Sequence, residues 1–182
     1  LQAHLGYTFR QPNLLELAIT HPSFLPENPD SECNQRLEFL GDAVVQLVLT
    51  EALFQLFPAE REGVLSKRRA ALANGTFLAR LSREIGLEAC LRLGTSEEAT
   101  GGRLRAAALE DAFEALIGAI YLDADFSTAR RVMLAVYGSL HDRLAAVESD
   151  ENPKGRLQEI VQPTHGNGAL RYEVVRTDGA DH

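Results

Sequence analysis

The sequence has no Trp, one Met, seven Pro and two Cys (Cys33 and Cys90) among 182 residues. Two cysteines make neither a disulfide framework nor a metal-ligand set, and they read as free thiols of a reducing compartment. A long hydrophobic run is also lacking. The nearest approach, Ala43 to Phe54, is interrupted by Gln46, Thr50 and Glu51, so a membrane span is not expected. The opening Leu1-Gln2-Ala3-His4 has no basic stretch leading into an apolar one, so no secretory signal is read there. A cytoplasmic location is the expectation, and the missing initiator Met points to a start inside a longer chain. Positive charge is in deficit: 18 Lys and Arg face 26 Asp and Glu, for a formal net charge of −8. That argues against a general nucleic-acid coat, because phosphate neutralisation draws on Lys and Arg. What the chain does have is apolar content. At 45% hydrophobic residues a disordered chain is excluded, and the length can bury roughly two thirds of its unfolded surface in one core.

Residues 1–148 read as nearly all helix. Leu14, Leu15, Ala18 and Ile19 make an apolar stripe after Pro12, which suits a first turn. A Pro-rich loop from Pro22 to Asp30 is expected next. Leu37, Leu40, Val44, Leu47, Val48 and Phe54 mark a long helix from Gln35 to Phe57, ended by Pro58. One further helix is expected from about Ser66 to Ile85, stopped by Gly86. A mobile polar loop is expected from Gly94 to Gly102, then a helix from about Leu104 to Leu122. Ser127 is placed as the cap of a last long helix through Val147, with Val132, Val136, Leu140 and Leu144 on one face. The composition shifts at residues 149–153, which read as a linker. Beyond it, Lys154 to Gln162 suits a short helix and Tyr172 to Thr177 a strand. A helix and a strand cannot bury a core alone, so 154–182 is expected to be part of a domain.

Two helices carry acids inside apolar surroundings. Glu38 and Asp42 are four residues apart, and Asp111 and Glu114 three apart, so each pair shares a helix face. Unpaired buried carboxylates are costly, and like charges on one face repel. Convergence of both pairs on a divalent cation removes that cost. Four carboxylates select a hard ion, Mg²⁺ with Mn²⁺ as substitute, and such sites suit phosphoryl chemistry. The alternative is a set of solvated helix acids paired with Arg36 or another base. Small neighbours that permit close approach (Gly41 and Ala43, Ala112 and Ala115) favour the metal site. A di-iron bundle would need Glu-x-x-His motifs, and no His follows an acid at that spacing.

The run Asn34-Gln35-Arg36-Leu37-Glu38-Phe39-Leu40-Gly41-Asp42-Ala43-Val44 resembles the signature of the ribonuclease III family, bacterial-type endonucleases of double-stranded RNA. Leu17 to Ser23, Glu62-Gly63 with Ser66 to Ala70, and Glu110 to Asp123 resemble the flanking segments and the second acidic motif, so the likeness covers about residues 4–148. The tail, Asn152 to Gln162 and Tyr172 to His182, resembles the first half of a double-stranded-RNA-binding domain. The fold class implied is mainly α: an all-helical ribonuclease III catalytic domain (1–148), a linker (149–153) and the helix-plus-strand start of an α-β-β-β-α RNA-binding domain (154–182).

The resemblance implies that Glu38, Asp42, Asp111 and Glu114 are the catalytic, Mg²⁺-holding acids, with Asp42 and Glu114 foremost. It makes Glu62 an accessory acid, Phe39 a plug into the partner subunit of a homodimer, and Gln158 and His182 contacts to minor-groove 2′-hydroxyls of RNA; Lys154 is a further RNA contact expected from its charge in the tail. Lys67, Arg68, Arg69, Arg103 and Arg105 are candidates to line the RNA groove. Gln35 stands where many members carry an acid; altered metal occupancy or rate is expected there, with activity kept. The implied reaction is hydrolysis of duplex RNA to 5′-phosphate and 3′-hydroxyl ends, in rRNA and other RNA processing. The runner-up is a catalytically impaired member that only binds duplex RNA. The acidic balance then excludes a non-specific coat but not an RNA enzyme whose acids bind phosphate through metal.

Overall fold

The chain of this computed structural model runs through a succession of helices: α1 (Gln2–Leu5), α2 (Pro12–Ala18), α3 (Gln35–Leu56), α4 (Glu62–Ala73), α5 (Gly75–Glu84), α6 (Thr95–Ala99), α7 (Ala106–Asp123), α8 (Phe126–Tyr137) and α9 (Leu140–Glu151). The structure describes residues 1–151, 161–164 and 166. The chain divides into two units, Leu1–Leu144 and Ala145–His182. Among the described residues there is no strand, only an isolated parallel bridge between Thr20 and Arg92. Residues 161–164 are helical. The remainder of the expected tail helix, and the strand Tyr172–Thr177, lie outside the described residues.

Helix α7 is the hub. It buries an unbroken run from Ala112 to Ile120, as a helix with neighbours on all sides must. Against it α3 lays Leu37, Gly41, Val44, Val45, Val48, Leu49 and Leu53, the helical repeat expected from the sequence. On a second side α5 buries Phe77, Leu78, Leu81 and Ser82, and the Ser82 hydroxyl donates to the Leu109 carbonyl at 2.8 Å. Tyr137 of α8 closes this core. Its ring stacks on Phe77 at 5.6 Å and meets Phe113 edge-on at 6.4 Å, while its hydroxyl donates to the Leu72 carbonyl at 2.9 Å. At the C-terminal end of α7, the buried Asp123 accepts from Tyr7 Oη and from the amides of Arg10 and Gln11. The N-terminal segment is thereby tied to the hub.

Several local expectations are corrected. The Pro-rich loop holds a 3₁₀ helix, Pro22–Glu27, started by Pro22 and by the His21 ring accepting from the Ser23 amide. The single helix expected over 66–85 is two helices, α4 and α5. Asn74 breaks it: its backbone is extended, its side chain accepts from the Phe77 amide, and it donates to the Ala70 and Ala71 carbonyls. The Gly-rich stretch is not a loose loop but α6 followed by a 3₁₀ turn, Gly102–Leu104. Glu27 accepts from both the amide and the hydroxyl of Thr95, and Glu98 and Glu97 pair with Arg103 and Arg105. Finally Asp125, not Ser127, caps α8, accepting from the Thr128 amide at 2.7 Å. The long last helix is also broken at Gly138, where φ is +65°. Helix α9 then continues through Glu151, so positions 149–151 of the expected linker are helical.

Candidate active site

The two acidic segments lie on α3 and α7, and these helices meet backbone to backbone. A Cβ on Gly41 would stand 1.8 Å from the Glu114 carbonyl oxygen, and one on Gly118 would stand 2.4 Å from the Leu37 carbonyl oxygen. Gly in a helix interior costs about 1 kcal/mol relative to Ala. Here the cost is accepted because no side chain fits between the helices. Glu38 and Asp42 flank Gly41, and Asp111 and Glu114 lie beside it on α7. The crossing therefore brings the two acidic pairs into one neighbourhood.

Glu114 is the innermost of them, only 8% exposed. Burial pushes its carboxyl up to about 8, with the negative charges of Asp42, Glu110, Glu38 and Asp111 pushing the same way. No hydrogen bond or cation among the described residues opposes that shift. Glu38 is raised by burial, then by Asp111, Glu110 and Asp42. Asp111 is raised by burial, while His21 pulls it back down. Asp42 is exposed and accepts from Gln46 Nε2 at 3.3 Å. Among the described residues no three His, Cys, Asp or Glu side chains are already drawn in around an ion position, as mutual repulsion of like charges dictates. The donor chemistry nevertheless fits a hard divalent cation: the crowded groups are carboxylates, which supply oxygen ligands only. The uncompensated burial of Glu114 is what a cation would relieve.

The other expected residues do not join this cluster within one chain. Glu62, the first residue of α4, is exposed and accepts from the Ser66 hydroxyl. It lines a cavity of about 470 Å³ with Phe54, Leu65 and Arg69. Phe39 projects from the outer face of α3, 83% exposed, at the edge of a larger cavity of about 980 Å³ whose walls include Leu14, Leu17, Leu25 and Leu122. Gln35 lines the same cavity and accepts from Cys33 Sγ. Of the candidate groove bases, Arg68 pairs with Glu60 and lies over the Phe57 ring, while Arg103 and Arg105 pair with Glu98 and Glu97. Arg69 donates to the Thr50 hydroxyl, and Lys67 is exposed. Gln158, Lys154 and His182 lie outside the described residues.

Two neighbours of the acids are not singled out by the sequence. Glu110 sits one turn before Glu114 and is raised by burial and by Asp111 and Asp42. The pattern that would have found it is the i, i+4 spacing to Glu114. His21 uses Nδ1 to accept from the Ser23 amide, so a neutral ring carries its proton on Nε2. Its proximity to Asp111 spans two distant segments and leaves no trace in local sequence.

A ribonuclease-III-like family model matches residues 11–139. Curated relatives include ribonuclease 3 of Pseudomonas putida strain GB-1 and of Pseudomonas fluorescens strain SBW25. Each is 48% identical over 182 residues, which is 100% of this chain and 77% of the relative. Among solved structures, the nuclease domain of ribonuclease III from Campylobacter jejuni aligns with a TM-score of 0.70 at 43% identity, covering 74% of this chain and 92% of that one. That structure is described for flexibility in its region of dimer formation. A 2.2 Å crystal structure of the same nuclease domain gives a TM-score of 0.69 at 43% identity, over 74% of this chain and 89% of that one. With the α3–α7 crossing and its acids, these likenesses place the chain in the ribonuclease III family of endoribonucleases.

Proposed function

We propose that the chain is a divalent-metal-dependent endoribonuclease that hydrolyses phosphodiester bonds in double-stranded RNA, leaving 5′-phosphate and 3′-hydroxyl ends. The observation that carries this reading is Glu114, a buried carboxylate without a compensating partner, facing other acids across the α3–α7 crossing. Glu38, Asp42, Asp111 and Glu114 would hold Mg²⁺, with Mn²⁺ as a substitute. A cation bound there supplies water activation at neutral pH and stabilisation of the charge that develops on the leaving oxygen. The protein's own contribution is to present the acids on rigid helices and to keep Glu114 out of bulk water. Before a cation binds, Glu114 holds a proton up to about pH 8, so loading the site releases that proton and is favoured as pH rises.

One chain carries one set of acids, and a duplex has two strands related by local two-fold symmetry. Cutting both in one event calls for a C₂ homodimer. The exposed Phe39 beside an apolar cavity supports such an isologous contact, and dimer formation in the Campylobacter jejuni relative supports the same reading. Recognition would rest on A-form shape and 2′-hydroxyls, with Gln158, Lys154 and His182 as contacts in the tail. rRNA precursors and other structured RNAs in the cytoplasm are the proposed substrates.

The test is to incubate the purified protein with long duplex RNA, with and without Mg²⁺, beside Asp42→Asn and Glu114→Gln. Metal-dependent cutting that both variants lose while still binding RNA is expected. Full activity in either variant refutes the assignment. Sedimentation at micromolar concentration should show a dimer.

A further inference from the structure

Glu110 has a seat built for it. Its carboxylate lies against Gly75, the first residue of α5, where a Cβ would stand 2.1 Å from Oε2, 2.6 Å from Cδ and 2.9 Å from Oε1. The backbone does not require glycine there, because Gly75 is not among the positive-φ glycines. The helix start does not require it either, since Asn74 supplies the cap. What the missing side chain provides is room for the Glu110 carboxylate. Glu110 also lies one turn before Glu114 on α7, so the two share a side of that helix. The amide end of α5 is the one favourable neighbour of its charge, a partial charge only, while burial, Asp111 and Asp42 all disfavour it. A side chain held in place against repulsion from its neighbours needs a compensating charge, and the buried, unpartnered Glu114 beside it needs the same one.

We propose that Glu110 is a fifth carboxylate of the divalent-cation site and that Gly75 is the seat that holds it there. This rests on reading Glu38, Asp42, Asp111 and Glu114 as the cation ligands, and it extends that set toward α5. Helix α5 then becomes part of the site's wall. Glu110 acts on the affinity for the ion, either as a direct ligand or through the ion's water shell.

The test is isothermal titration of Mn²⁺, and separately Mg²⁺, into the full chain without RNA. Glu110→Gln should bind the ion roughly tenfold more weakly, the scale of losses for groups that support a metal's ligands. Gly75→Ala should give a similar loss. The added methyl meets only the free end of a flexible side chain, so it displaces the carboxylate and leaves the fold intact by circular dichroism. The double variant should bind no more weakly than the worse single one, because both changes remove the same group. Wild-type affinity in Glu110→Gln alongside lost binding in Glu114→Gln overturns the role of Glu110 alone. Wild-type affinity in both overturns the four-acid reading beneath it. Wild-type affinity in Gly75→Ala with a loss in Glu110→Gln overturns the seat.

Discussion

Replacing Glu114 by Gln should stabilise the metal-free protein at alkaline pH while removing its response to cation. The sign follows from proton linkage. The folded-state pKa of Glu114, about 8, lies above the ordinary 4.5, so between those values the folded chain holds a proton that the unfolded chain has released. Stability is therefore lost as pH rises from 4.5 to about 8 and falls no further beyond. At 1.36 kcal/mol per pH unit the ceiling on that loss is about 5 kcal/mol. Asp42, the first of the charges acting on Glu114, is exposed. Solvent screening of that charge brings the expectation to about 2–3 kcal/mol. Gln is nearly isosteric and carries no charge. The difference between variant and wild type should be near zero at pH 4.5 and reach that size by pH 8.5. Urea denaturation in EDTA at several pH values measures it. Adding Mg²⁺ at pH 8.5 should then raise the wild type, because an ion that binds only the folded state stabilises it by mass action, and should leave Glu114→Gln unmoved. Parallel pH profiles for the two proteins in EDTA, or a variant less stable than wild type at pH 8.5, would refute the claim that Glu114 is a buried, uncompensated charge.

Gly41→Ala places a methyl carbon 1.8 Å from a backbone oxygen of α7 that cannot rotate away. The helices must part, at a cost of about 2–3 kcal/mol or more, and Mn²⁺ affinity should fall with it; a denaturation midpoint matching wild type would show that the crossing is looser than described. Tyr137→Phe keeps the stacking on Phe77 and Phe113 but leaves the buried Leu72 carbonyl without its donor. A loss of about 1–2 kcal/mol in the same assay is expected, and a midpoint equal to that of wild type would show that the Leu72 carbonyl finds another donor.

The parts of the fold legible in the sequence are those written in period. The repeat from Leu37 to Leu53 appears in α3 as expected, and α7 stands close to its expected bounds. Three of the departures share one cause: a polar side chain with a choice of partners. Asn74 reads as an ordinary position within a helix, yet its side chain makes the bonds that end α4 and start α5. Asp125 and Ser127 are both good caps two residues apart, and only the contact to the Thr128 amide decides between them. The stretch from Gly94 reads as loose because its anchor, Glu27, is distant in sequence.

The same contrast runs through the site. Glu38, Asp42, Asp111 and Glu114 stand out because acids on an apolar stripe are anomalous in the sequence itself. Glu110 is one more acid of the same kind, but its position depends on an absence, the missing side chain at Gly75, 35 residues away in the chain. Gly41 and Gly118 work alike: each looks like a helix defect in its own segment and becomes necessary only when the other helix is laid against it. Local pattern therefore reports which groups are out of place, while the residues that hold them there are small ones whose contribution is space. Gly41, Gly75 and Gly118 are not among the positive-φ glycines, so what each contributes is the room it leaves and not a backbone conformation.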